Sequence, residues 1–254
     1  MKNTYVQPVI QKLKKYIGKL ISDKQLESLQ KDILGGGWTK QSHYKLIYFL
    51  KKKHYLVSIK KGLYMVTYPE NTHIKSQSII QEHIGSLLHT MIHQYTKKKY
   101  YIGGIVGIEI HLGMNPLPEK ITIYTPTISG THTLIDTTKV IFKPYHKLFS
   151  LLTTHCETKE FHKLLFTIGS IEQCVLESLY YLDTGNQTYT NELIKKVIKQ
   201  YKKNRRWELV KQVISHGKYH TSLNRLHQLS LGIDGDFSIK CHQLINTYSF
   251  KISF

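Results

Sequence analysis

Cysteine is scarce in this chain: Cys156, Cys174 and Cys241 are the only three in 254 residues, and no two form a C-x-x-C. An odd, widely spaced set excludes a disulfide framework and a zinc knuckle, and it fits a reducing compartment. Arginine is equally rare, three residues against 33 lysines. Long apolar runs are missing too. A membrane helix needs ~18 such residues, whereas IGGIVGIEI is short and broken by Glu109. The first residues, MKNTYVQPVIQKLKKYIGK, contain no continuous apolar stretch of the secretory kind. These absences lead to the expectation of a cytoplasmic protein with no membrane partner.

Catalytic patterns are also lacking. The carboxylates after residue 72 form no spaced pair beside a lysine of the kind a nuclease uses, and there is no H-E-x-x-H. Gly103, Gly104 and Gly107 follow a strand-like segment, but G-G-x-x-G is not the dinucleotide fingerprint, so packing is the expected role. His89 and His93 stand at i, i+4, as do His216 and His220, yet neither pair has an apparent third ligand. The expectation is no catalytic residue, no metal and no cofactor.

What the chain has is positive charge, a net +19. Its placement matters more than its size, because a lysine excess also follows from an AT-rich coding sequence. Residues 1–72 hold fourteen lysines against four carboxylates, a net +10, whereas the 182 residues from 73 onward carry only +9.

The basic segment is patterned. Val6, Ile10, Leu13, Ile17 and Leu20 recur as the stripe of a first helix, with Pro8 tolerated in its first turn. Ser22 to Gln25 reads as a capping box opening a second helix that buries Leu26, Leu29 and Ile33. Three glycines, Gly35 to Gly37, break the chain before a third helix, which starts at about Thr39 or Lys40 and runs to Lys53. Leu46, Ile47 and Leu50 face inward there, and Gln41, Lys45, Tyr48 and Lys52 face outward. YLVSIKKGLYMVTYP then alternates on both sides of Lys61-Gly62, where glycine suits a two-residue hairpin turn. The expected register sets Ile59 opposite Tyr64 and Val57 opposite Val66.

Three helices followed by a hairpin is the order of a winged helix-turn-helix. Lys40, Gln41, Tyr44 and Lys45 would then reach base edges of double-stranded DNA, with Lys60 and Lys61 of the wing on phosphates. A solvated helix face is the alternative for each side chain taken singly.

PENT, Pro69 to Thr72, reads as a linker between a domain of residues 1–70 and another of 73–254. A long helix carries Ile80, Ile84, Leu87, Leu88, Met91, Ile92 and Tyr95. Tyr100–Ile102, Ile121–Thr125 and Lys139–Lys143 read as strands, with a buried helix after Gly103-Gly104. Helices are expected over Ile171–Tyr181, Asn191–Lys202, Trp207–Ile214 and Ser222–Leu231. The fold class is α+β: a winged helix, then a mixed α/β domain with a helical C-terminal part.

IKKGLYMV (Ile59–Val66), YYIGGIVGIEIHLGM (Tyr100–Met114), PEKITIYT (Pro118–Thr125) and SIEQCVLESLYYL (Ser170–Leu182) follow one another in a telling order. In these motifs the chain resembles AbiEi-type antitoxins of bacterial type IV toxin–antitoxin systems. The likeness covers most of residues 39–182 and is thin after about 183. It implies a non-enzymatic protein that binds operator inverted repeats and represses its own two-gene operon. It also implies neutralisation of a neighbouring nucleotidyltransferase-like toxin without a stable complex. The family's basic DNA contacts fall on Lys40, Lys45, Lys60 and Lys61, and no residue of the antitoxin activity transfers. Two other classes stand beside it: a plain transcription factor with a sensing or dimerising second domain, and a winged-helix-targeted nuclease, against which the unpatterned carboxylates speak.

Overall fold

Helix caps that the sequence spells out locally set the first unit. A computed structural model describes residues 6–67, 76–135, 138–182, 186–200, 206–216 and 219–248. The chain divides into two units, Met1–Ile84 and Gly85–Phe254. In the first, α1 (Val6–Leu13) leads to β1 (Leu20–Ser22), α2 (Asp23–Leu34), α3 (Lys40–Lys52), β2 (Leu56–Lys60) and β3 (Leu63–Val66). The Ser22 hydroxyl accepts the Gln25 N–H at 3.3 Å, and Gln25 Oε1 accepts the Ser22 N–H at 2.8 Å, closing the box that starts α2. Thr39 and Ser42 do the same for α3, both at 3.0 Å. Leu26, Leu46, Leu50, Leu56, Tyr64 and Val66 share one core with α1's Val6, Val9, Ile10 and Leu13.

Two expectations are corrected here. The first helical stripe does not reach Leu20: α1 ends at Leu13, Ile17 is 42% exposed, and Gly18 turns the chain at φ +74°. Leu20 instead pairs with Met65, so β1 completes an antiparallel sheet in the order β1-β3-β2. The hairpin turn falls at Lys61-Gly62 as expected, with Lys60 opposite Leu63, but the pairing then shifts between Ser58 and Lys60. This bulge leaves Ile59 without an opposite residue and sets Ser58 against Tyr64 and Leu56 against Val66. Leu56, rather than Val57, therefore joins Tyr64 and Val66 in the core.

Pro69 to Thr72, the expected linker, lies outside the described residues. After it comes α4 (Ser76–Thr96), whose Leu87, Leu88, Met91 and Ile92 are buried while Tyr95 is 38% exposed.

The second unit is built on a six-stranded mixed sheet in the order β6-β7-β5-β4-β9-β8. Its strands are β4 (Tyr101–Gly103), β5 (Lys120–Thr125), β6 (Gly130–Ile135), β7 (Thr138–Pro144), β8 (Glu157–Phe161) and β9 (Leu164–Ile168). The short buried helix α5 (Gly104–His111) follows β4 directly, and α6 (Phe149–Thr153) follows β7. The helical end comprises α7 (Ile171–Tyr180), α8 (Gln187–Gln200), α9 (Trp207–Ser215), α10 (His220–Ser230) and α11 (Gly235–Thr247). β5 runs parallel to β7 from Lys120↔Lys139 to Thr125↔Pro144, and antiparallel to β4 through Ile102↔Ile123. The chain is thus a mixed α+β protein. Among the described residues no helix is long and apolar enough to cross a membrane.

Candidate functional sites in the two units

The outward face of α3 follows from the burial of the inward one. Leu46, Ile47 and Leu50 are buried, with His43 beside them, which turns Lys40, Gln41, Lys45, Tyr48 and Lys52 to solvent. Tyr44, at 57% exposed, stands on the same side. His43 anchors the helix: its Nε2 lies 3.2 Å from Asp23 Oδ1 and its Nδ1 lies 3.0 Å from the Gln30 side chain. Two polar side chains of α2 therefore hold α3 in place. Lys61 is exposed at the hairpin turn, and the backbone of Lys60 ends β2. Five of the expected site residues are in the open, Lys40, Gln41, Tyr44 and Lys45 on α3 and Lys61 at the turn; the placement of the Lys60 side chain is outside what is described.

The second unit contains a cleft of about 640 Å³ where β4 passes into α5. Glu177 of α7 forms its floor and is fully buried. Its Oε1 accepts from the Tyr101 hydroxyl at 2.8 Å and from Gln173 Nε2 at 3.2 Å; its Oε2 accepts the Gly104 N–H at 2.9 Å. Burial pushes this carboxyl up to about 8, against the pull of the three donors and of Lys143. Lys143, on β7, is pushed down to about 8 by burial, with Glu177 holding it up, and its Nζ lies 3.0 Å from the centroid of the Tyr181 ring. A Cβ on Gly103 would overlap both Glu177 Oε2 and the Tyr124 ring, so only glycine lets the carboxylate approach the strand end.

Glu109 enters the cleft wall from α5 and receives the Tyr189 hydroxyl of α8 on Oε1 at 2.5 Å. Burial raises its carboxyl above the usual range. Tyr101 stacks on Tyr124 with ring centroids 5.0 Å apart, and Tyr124 lies 4.9 Å from Tyr145. Sequence reasoning assigned nothing to this cleft.

The histidine pairs fall elsewhere. His89 and His93 lie with ring centroids 4.1 Å apart and pack against Phe166 and Tyr100 respectively. No group of three His, Cys, Asp or Glu among the described residues is placed to hold a metal ion. The thiols of Cys156, pushed up to about 12 by burial, and of Cys174, also raised by burial, are in the inert protonated form.

By fold the chain is an α+β protein of two units, and the comparisons with known proteins bear on that fold alone. No family model and no curated protein matches it. Among solved structures it is similar to the crystal structure of the RV2827C protein from Mycobacterium tuberculosis. The TM-score is 0.62 at 12% identity, over 98% of this chain and 83% of that one.

Proposed function

We propose that the first unit is a winged helix-turn-helix that binds double-stranded operator DNA, and that the protein is a repressing antitoxin of a toxin–antitoxin operon. The observation that carries the DNA reading is α3 itself. Lys40, Gln41, Tyr44 and Lys45 cluster at its N-terminal end on the solvent side, and the Lys61 turn follows on the adjoining hairpin. An N-terminal helix turn with glutamine and lysine is suited to base edges, and lysines at a hairpin tip are suited to phosphates. The order of helices and strands, with β1 closing the sheet beside the hairpin, supports the same assignment. The antitoxin role rests on the likeness of Ile59–Val66, Tyr100–Thr125 and Ser170–Leu182 to AbiEi-type proteins. It entails neutralising a nucleotidyltransferase-like toxin through the second unit without a stable complex.

Two measurements test the two halves. In a gel shift, the duplex upstream of the protein's own reading frame should bind more tightly than an unrelated duplex of equal length; equal binding refutes operator recognition. Co-expression with the adjacent reading frame should restore growth of cells that this neighbour poisons; failure to protect refutes the antitoxin half. One observation favours a second reading, a transcriptional regulator that senses a small molecule: the tyrosine-rimmed cleft around Glu109 and Glu177.

A further inference from the structure

The outward face of α3 carries more than charge. With the period of an α-helix, Gln41, Tyr44, Lys45, Tyr48 and Lys52 fall within an arc of about 100°. The buried His43, Leu46, Ile47 and Leu50 stand on the opposite side. Two tyrosines one turn apart lie along the outward arc. Tyr44 is 57% exposed, and Tyr48, at 68%, is the most exposed large hydrophobic side chain among the described residues. Rings left this far in water contribute little to the unit's own core. The helix also gives the sign of a partner's charge: α3 contains no carboxylate, and Lys40, Lys45, Lys51 and Lys52 are all exposed, so the face suits a polyanion.

Which base pairs it suits follows from the side chains available. The commonest reader of guanine is a forked arginine, and cytosine is read by a carboxylate that accepts from its N4 amine. The face has neither, and all three arginines, Arg205, Arg206 and Arg225, belong to the second unit. The side-chain oxygens of Thr39 and Ser42 are spent on the helix cap. Gln41 remains, the one side-chain amide of the helix, with a donor and an acceptor that match N7 and N6 of adenine. The tyrosine rings match the methyl group of thymine, which lies in the same groove. Lys45 and Lys52 are compact point charges, served as well by a phosphate as by guanine. From Gln41 to Tyr48 the helix rises roughly 10 Å, the length of about three base steps.

We propose that α3 reads an A·T-rich run of about three or four base pairs in the major groove, with Gln41 on an adenine and the rings of Tyr44 and Tyr48 on thymine methyl groups. This rests on the reading of the first unit as a DNA-binding domain, and it adds Tyr48 to the residues that distinguish one sequence from another.

Selection of the full chain on a random duplex pool should enrich A·T runs. In the enriched duplex, uracil in place of thymine removes only methyl groups, and should weaken the wild type about fourfold for each methyl that a ring covers. 7-Deazaadenine removes the N7 acceptor and should cost the wild type about fivefold or more. Both changes are made in the DNA, so these readouts hold even if a variant folds poorly. The double variant Tyr44→Ser, Tyr48→Ser should keep its urea midpoint and no longer respond to uracil, and Gln41→Ala should no longer respond to 7-deazaadenine. Enrichment of G·C runs, equal binding of all duplexes, or a uracil response that is absent in wild type or undiminished in the double variant overturns the inference and leaves the DNA reading standing. Failure to bind any duplex overturns both.

Discussion

The two units handle charge in opposite ways. In the first, the lysines whose side chains are described are exposed, and the buried polar side chains among the described residues are Gln30 and His43, which hold α2 to α3. In the second, Glu109 and Glu177 are taken inside, and Lys143 is half-buried between Glu177 and the Tyr181 ring. Charge kept outside on a helix with a mainly apolar core behind it serves long-range attraction and contributes little to folding. Charge taken inside destabilises unless it is matched, so it marks a place where something besides stability shaped the residues. Surface lysines should thus be dispensable for folding and decisive for DNA, and the cleft residues the reverse.

The sharpest break should come at Gly103. Gly103→Ala drives a methyl group into Glu177 Oε2 and Tyr124, and both are fully packed. A loss of about 3 kcal/mol or more is expected, read as a fall in the urea midpoint of the second unit. A midpoint within error of wild type would mean that the strand end yields easily.

A smaller effect should come from pH. The carboxyl of Glu177 is raised from its ordinary value to about 8, so its contribution to stability is complete below the ordinary carboxylate range and is lost as pH rises through about 8. Lys143 is depressed to about 8, so its contribution is present above the ordinary lysine value and is lost as pH falls through about 8. Both are therefore least favourable near pH 8. The melting temperature of wild type relative to Glu177→Gln should be higher at pH 5 than at pH 8, by a few degrees. An unchanged difference between the two pH values would show that Glu177 is ionised throughout.

Smallest is the cap of α3. Thr39→Ala removes the hydroxyl that accepts the Ser42 N–H, and should destabilise the first unit by about 1 kcal/mol in chemical denaturation. The second unit should be unaffected, and an equal loss there would show that the two units unfold together.

How much of this was legible follows from how local each cause is. Ser22 with Gln25, and Thr39 with the helix after it, announce themselves within four residues, so α2 and α3 could be placed closely. β1 could not, because Leu20–Ser22 is a strand only through the free edge of β3. The hairpin Phe161↔Leu164 was hidden for another reason: His162 and Lys163 take φ of +47° and +64° without glycine or asparagine. His162 is held by Asn115 and Pro116, far away in sequence. β8 carries Glu157, Lys159 and Glu160, charges that suit a sheet edge but read as loop. The helix α11 has one buried apolar residue per turn, Phe237, Cys241 and Ile245, too thin a stripe to stand out. The cleft draws Glu109, Lys143, Glu177 and Tyr189 from α5, β7, α7 and α8, and no short window contains two of them. One signal was present: a single carboxylate inside each apolar run, Glu109 in IVGIEI and Glu177 in CVLESL.

The proposed function requires that the exposed lysines of the first unit, and not the chain's general basicity, bind DNA. Titrating the full chain against its upstream duplex at several salt concentrations, as wild type and as the triple variant Lys40→Ala, Lys45→Ala, Lys61→Ala, separates the two most directly. For the variant, an unchanged urea midpoint is expected, with a large loss of affinity and a log–log salt slope reduced by about 0.9 for each lysine that meets a phosphate. A triple variant that binds with the wild-type affinity and slope would contradict it.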